Sequence, residues 1–204
     1  TFEVPEPGPG EVLVRVRRSQ VSAGSERTGF LRDAAPDRRE HLGYTAVGRV
    51  LATGDEVAEF RPGDRVLAWG PHGSHWMAIP DPALGHHETL QHIEQDITDE
   101  QAAFARLGDV ALHAVRRAEL QIDESVAVFG EGVVGQLVTA LCRISGAYPV
   151  IAVDLDEDRL ALAERSGATH TVNASTADAV QAIRDLVEGG VLSAFHVAGD
   201  ARVM

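Results

Sequence analysis

The sequence predicts an α/β protein in which a β-rich first part precedes a doubly wound parallel sheet. Three observations predict this class. Residues 11–19 and 46–54 alternate apolar and polar side chains, with the period that a half-buried strand requires. From residue 125 onwards, short apolar runs alternate with helical segments, which is typical of parallel strands buried on both faces. Between the first of these runs and the helix that follows it stands the glycine-rich stretch GEGVVG.

The first part is predicted to be built from short strands. Four segments have the composition of strands: 11–19, 46–54, 64–70 and 74–80. Glycine- and proline-rich turn signals separate them, among them PGPG at 7–10 and RPGD at 61–64. Short strands at this close spacing predict a small antiparallel barrel or sandwich.

The second part has helices between its strands. A helix is predicted over 98–118, where Thr98 and Gln101 match the capping box of a helix start. Further helices are predicted over 133–146, 157–167 and 177–190. The strands between and after them are predicted over 125–130, 149–154, 169–175 and 192–199.

The composition limits the classes of function. A net charge of −13 disfavours a nucleic-acid partner or an anionic membrane surface, both of which need basic patches. No apolar stretch approaches the ~18 residues of a membrane span, and no secretory signal is recognised, so a cytoplasmic protein is expected. All 18 basic residues are arginine, which excludes Schiff-base chemistry on lysine. With Cys142 as its single cysteine, the chain forms no internal disulfide and no multi-cysteine zinc site.

The stretch GEGVVG carries the clearest functional signal. Gly130, Gly132 and Gly135 form a G-x-G-x-x-G pattern that follows a strand and opens a helix. In such a loop the first glycine permits the tight turn, the second lets the backbone approach a pyrophosphate, and the third lets helix and strand pack closely. Asp154 ends the next strand, 19 residues after position 135, where an acid that binds the adenosine ribose is expected. A dinucleotide site is predicted; the alternative is a strand, turn and helix that are merely rich in glycine.

The ribose acid also predicts which dinucleotide binds. Asp154 would accept hydrogen bonds from both ribose hydroxyls and repel a 2′-phosphate, and Asp156 adds to that repulsion. NAD(H) is therefore favoured over NADP(H). Arg159 either folds over the adenosine or is a solvated helix residue. The predicted cofactor-binding residues are Gly130, Gly132, Val133, Val134, Gly135, Asp154, Arg159, Val197, Ala198 and Gly199.

The order of these motifs resembles the medium-chain dehydrogenase/reductase superfamily, the zinc-type alcohol dehydrogenases and their relatives. The likeness rests on GEVLVRV, on GRVLATGDEVAEFRPGDRV and on the glycine pattern, and it covers nearly the whole chain. It implies a GroES-like catalytic domain with a connecting helix over 1–118, a Rossmann domain over 119–204, and substrate in the cleft between them. The later Rossmann strands of the family are missing and Thr1 is not an initiator, so a fragment of a longer protein is expected.

The resemblance does not extend to zinc. Zinc-binding members hold the metal through a Cys, the His of a Gly-His-Glu phrase and a further Cys or Glu. Here Ala23 stands in SAGSE, Tyr44 and Thr45 stand in GYT, and Arg106 lies near the third position. Zinc needs three or four converging Cys, His or carboxylate ligands, so neither a catalytic nor a structural zinc is expected. The remaining metal-ligating candidates are more typical of loops: His72, His75, His86 and His87.

Without zinc, a side chain has to handle the proton of the substrate hydroxyl. Ser25 matches the hydroxyl residue that relays protons in the family, and Tyr44 stands where the metal site would be. Tyr44 and Ser25 are therefore the predicted catalytic residues, with Glu26, His41 and His113 as lesser candidates. Each has an ordinary explanation too, such as cleft packing for Tyr44 and a turn for Ser25.

The sequence is compatible with three functions. The first is a zinc-independent, NAD(H)-dependent oxidoreductase that acts on a secondary alcohol or ketone, such as a polyol, a sugar or a natural-product intermediate. The SAGSE phrase resembles zinc-free members of this kind, which include the bacteriochlorophyllide hydroxyethyl dehydrogenases. The second is a quinone or enoyl reductase, and the third a non-catalytic dinucleotide-binding protein. A small-molecule substrate is expected, without nucleic-acid or membrane partners, and a homodimer is left open.

Overall fold

Two units make up the part of the chain that the computed structural model describes, residues 4–26, 42–80 and 90–199. The first unit ends at Ala105 and the second begins at Arg106. The domain division expected from the sequence, after residue 118, lies one helix further along the chain.

An antiparallel sheet forms the first unit. Its strands are β1 (Val12–Ser19), β2 (Ala46–Thr53), β3 (Arg65–Ala68), β4 (His75–Ala78) and β5 (Gln91–His92). They lie in the order β4-β1-β2-β3-β5, and all neighbours are antiparallel. The four strands predicted from their alternation are confirmed. The sequence did not predict β5, because its two exposed residues carry no apolar period.

Valines from three strands form the core of this unit. Val14, Val50 and Val66 are almost fully buried and pack around Phe60. A second cluster joins Val47 of β2 to two alanines of a short helix, α1 (Asp99–Ala103). This helix therefore covers part of the sheet.

The helix predicted over 98–118 is two helices, α1 and α2 (Ala105–Arg117). The capping box at the start of α1 is confirmed, since Gln101 N donates to Thr98 Oγ1 at 3.1 Å and Thr98 N donates to Gln101 Oε1 at 2.9 Å. The break falls at Phe104, whose N–H donates to the Gln101 carbonyl in a tighter, three-residue turn. The apolar periodicity continues across this break, which is why the sequence predicted one helix.

A parallel sheet forms the second unit. Its strands are β6 (Val126–Phe129), β7 (Val150–Asp154), β8 (His170–Asn173) and β9 (Ser193–His196). The helices are α3 (Val133–Ile144), α4 (Glu157–Ser166) and α5 (Ala179–Leu186). The strand order is β8-β7-β6-β9, and every pair is parallel. All four predicted strands and all three helices of this unit are confirmed.

Helices cover both faces of the parallel sheet. On one face Val128 of β6 packs with Val115 of α2 and Val138 of α3. On the other face Ala127 and Ile151 pack with Ile183 of α5. This confirms the doubly wound arrangement. Among the described residues, no helix is long and apolar enough to cross a membrane.

Candidate dinucleotide and proton-transfer sites

The strand order reverses at β6. The chain runs from β6 to β7 and β8 on one side, then returns to place β9 on the other side of β6. Ligands of such sheets bind outside the carboxyl ends of the strands at this reversal. The loops after β6 and β9 meet there: Val197 N donates to the Phe129 carbonyl at 2.9 Å, and Ala198 lies directly beside Gly130.

The three glycines of the loop after β6 differ in what a side chain would meet. Gly130 has a φ of +99°, and a Cβ there would stand 2.7 Å from that of Ala198. At Gly135 a Cβ would stand 1.9 Å from the Gly130 carbonyl oxygen, so the first turn of α3 lies against the strand end. At Gly132 no heavy atom of the described residues, apart from its neighbours in the chain, lies within 4 Å of the Cβ position. The loop is therefore tightly packed at Gly130 and Gly135 and open at Gly132. An open position there fits the approach of a pyrophosphate to the start of α3.

Asp154, at the end of β7, is turned towards this loop. Its Oδ2 accepts a hydrogen bond from Glu131 N at 2.6 Å, and its Oδ1 accepts from Leu155 N at 2.7 Å and from Asp156 N at 3.1 Å. The side chain is 6% exposed, and the Arg159 guanidinium lies 3.7 Å from Oδ2. The structure thus places the predicted ribose acid beside the glycine loop, with Arg159 next to it.

The other predicted cofactor residues lie around the same edge. Val133 and Val134 form the first turn of α3 directly after Gly132, and Val133 is exposed. Gly199 is exposed at the end of the segment that follows β9. The structure brings all ten residues to the carboxyl edge of one sheet, since Asp154 and Arg159 follow the neighbouring strand.

Glu131, inside the glycine pattern, was not singled out in the sequence. Its side chain is 1% exposed, and Thr139 Oγ1 donates to its Oε1 at 2.8 Å. Its Oε2 has no hydrogen-bond partner among the described residues. Burial is the main cause that raises the pKa of Glu131 to about 7; the Thr139 hydrogen bond opposes this and the charge of Asp154 adds to it. The loop therefore rests on a carboxyl group inside the protein.

Three side chains converge in the first unit. His72 Nε2 lies 2.9 Å from Glu26 Oε2, and His72 Nδ1 lies 2.8 Å from Ser19 Oγ. Glu26 is held in turn, because its Oε1 accepts a hydrogen bond from Ser22 N at 2.6 Å. We call Ser19, Glu26 and His72 the histidine cluster. His72 was expected to be a loop histidine, and it lies in the loop between β3 and β4 with both ring nitrogens engaged.

The histidine cluster adjoins the predicted catalytic residues. Gly43, with a φ of +92°, lies so close to His72 that a Cβ would stand 2.8 Å from its backbone nitrogen and 2.9 Å from its ring. Tyr44 follows directly, is half-buried, and tilts its ring against Trp69 at a centroid distance of 5.7 Å. Ser25 precedes Glu26 in an exposed helical turn. The proximity of position 72 to 19 and 26 carries no signal in the linear sequence.

Of the lesser candidates, Glu26 belongs to the histidine cluster and the other two lie elsewhere. His113 is exposed on α2, and His41 lies outside the described residues. His86 and His87 are outside them as well. Within residues 4–26, 42–80 and 90–199, no group of three or more His, Cys, Asp and Glu side chains is arranged to hold a metal ion.

Two family models match the chain. The alcohol dehydrogenase GroES-like domain matches residues 8–86, and the zinc-binding dehydrogenase model matches residues 133–204. The erythritol/L-threitol dehydrogenase of Mycolicibacterium smegmatis is 31% identical over 91% of this chain and 62% of its own length. The NADP-dependent isopropanol dehydrogenase of Thermoanaerobacter brockii is 28% identical over 99% of this chain and 66% of its own length. The chain thus spans about two thirds of the length of these relatives.

A solved structure of a related protein has a similar fold. The quinone oxidoreductase of Pseudomonas syringae has a TM-score of 0.75 and 27% identity, over 93% of this chain and 58% of that one. The similarity therefore extends through both units and includes proteins named for alcohols and for quinones.

Proposed function

Because the chain belongs to the medium-chain, zinc-type alcohol dehydrogenase-like superfamily, we propose that it is part of an NAD(H)-dependent oxidoreductase that works without a catalytic zinc. The reaction is hydride transfer between nicotinamide and a secondary alcohol or its ketone, such as a polyol, a sugar or a natural-product intermediate. The observation that carries the proposal is the glycine loop at the strand reversal, with the carboxylate of Asp154 beside it. The ten residues at this edge are the proposed cofactor site.

Two neighbouring side chains bear on the choice of dinucleotide in opposite ways. Asp154 favours NAD(H), because a carboxylate repels a 2′-phosphate, whereas an arginine such as Arg159 can accommodate that phosphate. Asp154 is the nearer to the loop, since it accepts a hydrogen bond from Glu131 N, while Arg159 is more than half exposed. A carboxylate has about four lone-pair positions, of which three already accept amide hydrogens. Binding of both ribose hydroxyls therefore requires that one amide bond is exchanged.

Zinc independence rests on the residues at the family's ligand positions. Ala23 has no ligating atom, Tyr44 replaces a histidine, and Arg106 places a cation near the third position. Tyr44 and Ser25 are the proposed catalytic residues, because a hydroxyl can donate to a developing oxyanion or pass on a proton. A small-molecule substrate is part of the proposal, while the cytoplasmic location and the homodimer stay predictions.

The similarity to a quinone oxidoreductase supports a second candidate function, reduction of a quinone or an enone. That reaction needs no zinc either, because hydrogen bonds can polarise the substrate carbonyl. A non-catalytic dinucleotide-binding protein is the third candidate, since a fold alone does not fix a function.

The test uses the full-length protein. Fluorescence titration with NADH and NADPH, and a zinc determination on the same sample, precede an activity panel of erythritol, 2,3-butanediol, sorbitol and a quinone. We expect NADH to bind at least about tenfold more tightly than NADPH, a difference of about 1.4 kcal/mol, with no stoichiometric zinc and with turnover of an alcohol.

Two variants test which side chain sets the preference for NADH over NADPH. Asp154→Asn is expected to weaken NADH binding, and Arg159→Gln to weaken it less, because the Arg159 side chain is more than half exposed. Tighter NADPH binding that Arg159→Gln abolishes would instead favour the quinone or enone reductase. Stoichiometric zinc would contradict zinc independence, and binding without turnover of any panel compound would favour the non-catalytic protein.

A further inference from the structure

We propose that the histidine cluster is the proton-transfer chain of this active site, with the Ser19 hydroxyl meeting the substrate oxygen and His72 acting as the base. This inference rests on the proposed hydride-transfer function and assigns the step that zinc would otherwise assist. It gives roles to Ser19, which the sequence did not single out, to His72, which was expected to be a loop histidine, and to Glu26, which was a lesser candidate.

The hydrogen bonds fix the direction of the chain. An ionised Glu26 carboxylate only accepts hydrogen bonds, so the His72 nitrogen that faces it, Nε2, carries the hydrogen. The other nitrogen of neutral His72, Nδ1, then has a free lone pair and accepts the hydrogen of the Ser19 hydroxyl. A serine bonded to a histidine that a carboxylate orients is the arrangement by which proteins activate a hydroxyl.

The surroundings hold this arrangement in place without sealing it. The side chains of His72 and Glu26 are 28% and 13% exposed, so the pair is shielded but a proton can still reach water. The Ser22 amide fixes the second oxygen of Glu26, and the backbone at Gly43 lies against the imidazole ring. A base held by its neighbours needs little reorganisation at the moment of transfer.

The position of the cluster points to the reacting end of the substrate. Glu26 follows Ser25 in the chain, and His72 lies against Gly43, which precedes Tyr44, so the cluster adjoins both proposed catalytic residues. These are the segments in which the chain lacks zinc ligands. A base close to the site offers a second way to remove the hydroxyl proton that a metal would otherwise acidify.

The step balances as follows. A bound nicotinamide would supply the acceptor for the carbinol hydrogen, which leaves its carbon as hydride with two electrons and gives the reduced nicotinamide. The substrate O–H bond breaks, its proton passes to Ser19 Oγ, and the Ser19 proton passes to His72 Nδ1. The products are the ketone and an imidazolium that pairs with Glu26. In the reverse direction His72 returns the proton through Ser19 to the oxygen of the reduced carbonyl.

The experiment compares His72→Gln with His75→Gln in the full-length protein. His75 is a matched control, because it lies three residues away and, within the described part of the chain, bonds to the Ser74 hydroxyl and to no carboxylate. NADH affinity, imidazole ¹⁵N shifts, and kcat and KM against pH are measured, with the panel alcohol that turns over fastest. Ser19→Ala and Glu26→Gln complete the set; Ser19→Ala removes a single oxygen and keeps the fold testable if His72→Gln fails to fold.

We expect His72→Gln and Ser19→Ala to lower kcat by about 100-fold or more, with NADH affinity unchanged. The pH dependence of kcat/KM changes in His72→Gln, because the relay then contains no imidazole. The ¹⁵N shifts of the wild type show the Nε2–H form of His72, and Glu26→Gln loses that preference. His75→Gln behaves as the wild type.

Two results would overturn the inference. The first is wild-type kcat and pH dependence in folded Ser19→Ala or His72→Gln. The second is an Nδ1–H form of His72 in the wild type, which leaves no acceptor for the serine. Failure of the proposed function is distinct, because it appears in the wild type itself as loss of NADH binding or of alcohol turnover.

Discussion

The glycine loop of the second unit and the histidine cluster of the first are built in opposite ways. The loop is six consecutive residues, 130–135, whose shape depends on the absence of a side chain at Gly130 and at Gly135. The cluster is three side chains from separate segments, at 19, 26 and 72, whose atoms must all be present. A site made of local backbone leaves a pattern in the sequence. A cluster of side chains that come from distant segments leaves no such pattern, because only the folded chain brings them together.

The largest expected effect tests the packed side of the loop. Gly135→Ala places a Cβ 1.9 Å from the Gly130 carbonyl oxygen, so strand and helix must separate. We expect the free energy of unfolding of the second unit to fall by more than about 3 kcal/mol, at the upper end of overpacking costs. Urea denaturation followed by far-ultraviolet circular dichroism measures it.

Gly132→Ala is the matched control, because its Cβ meets no heavy atom of the described residues within 4 Å, apart from its neighbours in the chain. Its stability should stay within about 1 kcal/mol of the wild type, the range for changes at a helix N-cap. Its NADH affinity should nevertheless fall, since the new methyl group stands where the pyrophosphate approaches. Equal losses of stability in Gly135→Ala and Gly132→Ala would contradict this difference, because the loop would then be tightly packed at both positions.

The strands and helices show how far local pattern reaches. The valine-rich stretches of β1 and β2 and the apolar runs of β6 and β7 indicate buried strands, so these elements were predictable, although the first three residues of β1 and of β2 are all buried instead of alternating. The break at Phe104 was not, because it lies inside a continuous apolar period. The ten predicted cofactor residues lie at one edge of the sheet, since parallel topology brings strand ends together. His72 was missed, because its partners lie 46 and 53 residues away in the chain.

Glu131 is the exception within the glycine loop, because its buried side chain, and not only its backbone, contributes to the structure of the loop. Its pKa of about 7 in the folded protein compares with 4.5 for an ordinary glutamate. Between these values the unfolded chain loses the proton while the folded protein keeps it. The free energy of unfolding should therefore fall as pH rises from 4.5 to 7, by up to about 3 kcal/mol in total, and level off above that.

Glu131→Gln should flatten this slope, because an amide carries no titrating proton. The other titratable groups near it are Asp154 and the Cys142 thiol, whose pKa burial raises to about 12, so the thiol stays protonated throughout. Denaturation midpoints between pH 4.5 and 8 measure the effect, with exposed Glu188→Gln as the control. An unchanged slope in Glu131→Gln would show that the Glu131 carboxyl reaches water in solution.

The smallest expected effect concerns two buried threonine hydroxyls, one without a hydrogen-bond partner among the described residues and one with a partner. Thr45 follows Tyr44, is fully buried, and its hydroxyl has no partner among the described residues. Thr139 is equally buried, but its hydroxyl donates to Glu131 at 2.8 Å. Thr45→Val should raise the free energy of unfolding by about 1 kcal/mol, because a buried hydroxyl without a partner is costly. Thr139→Val should lower it by a similar amount, about 1 kcal/mol, because it leaves the Glu131 carboxyl without its donor. Denaturation at pH 6 measures both; a loss in Thr45→Val would mean that this hydroxyl has a partner in solution and belongs to the site around the histidine cluster.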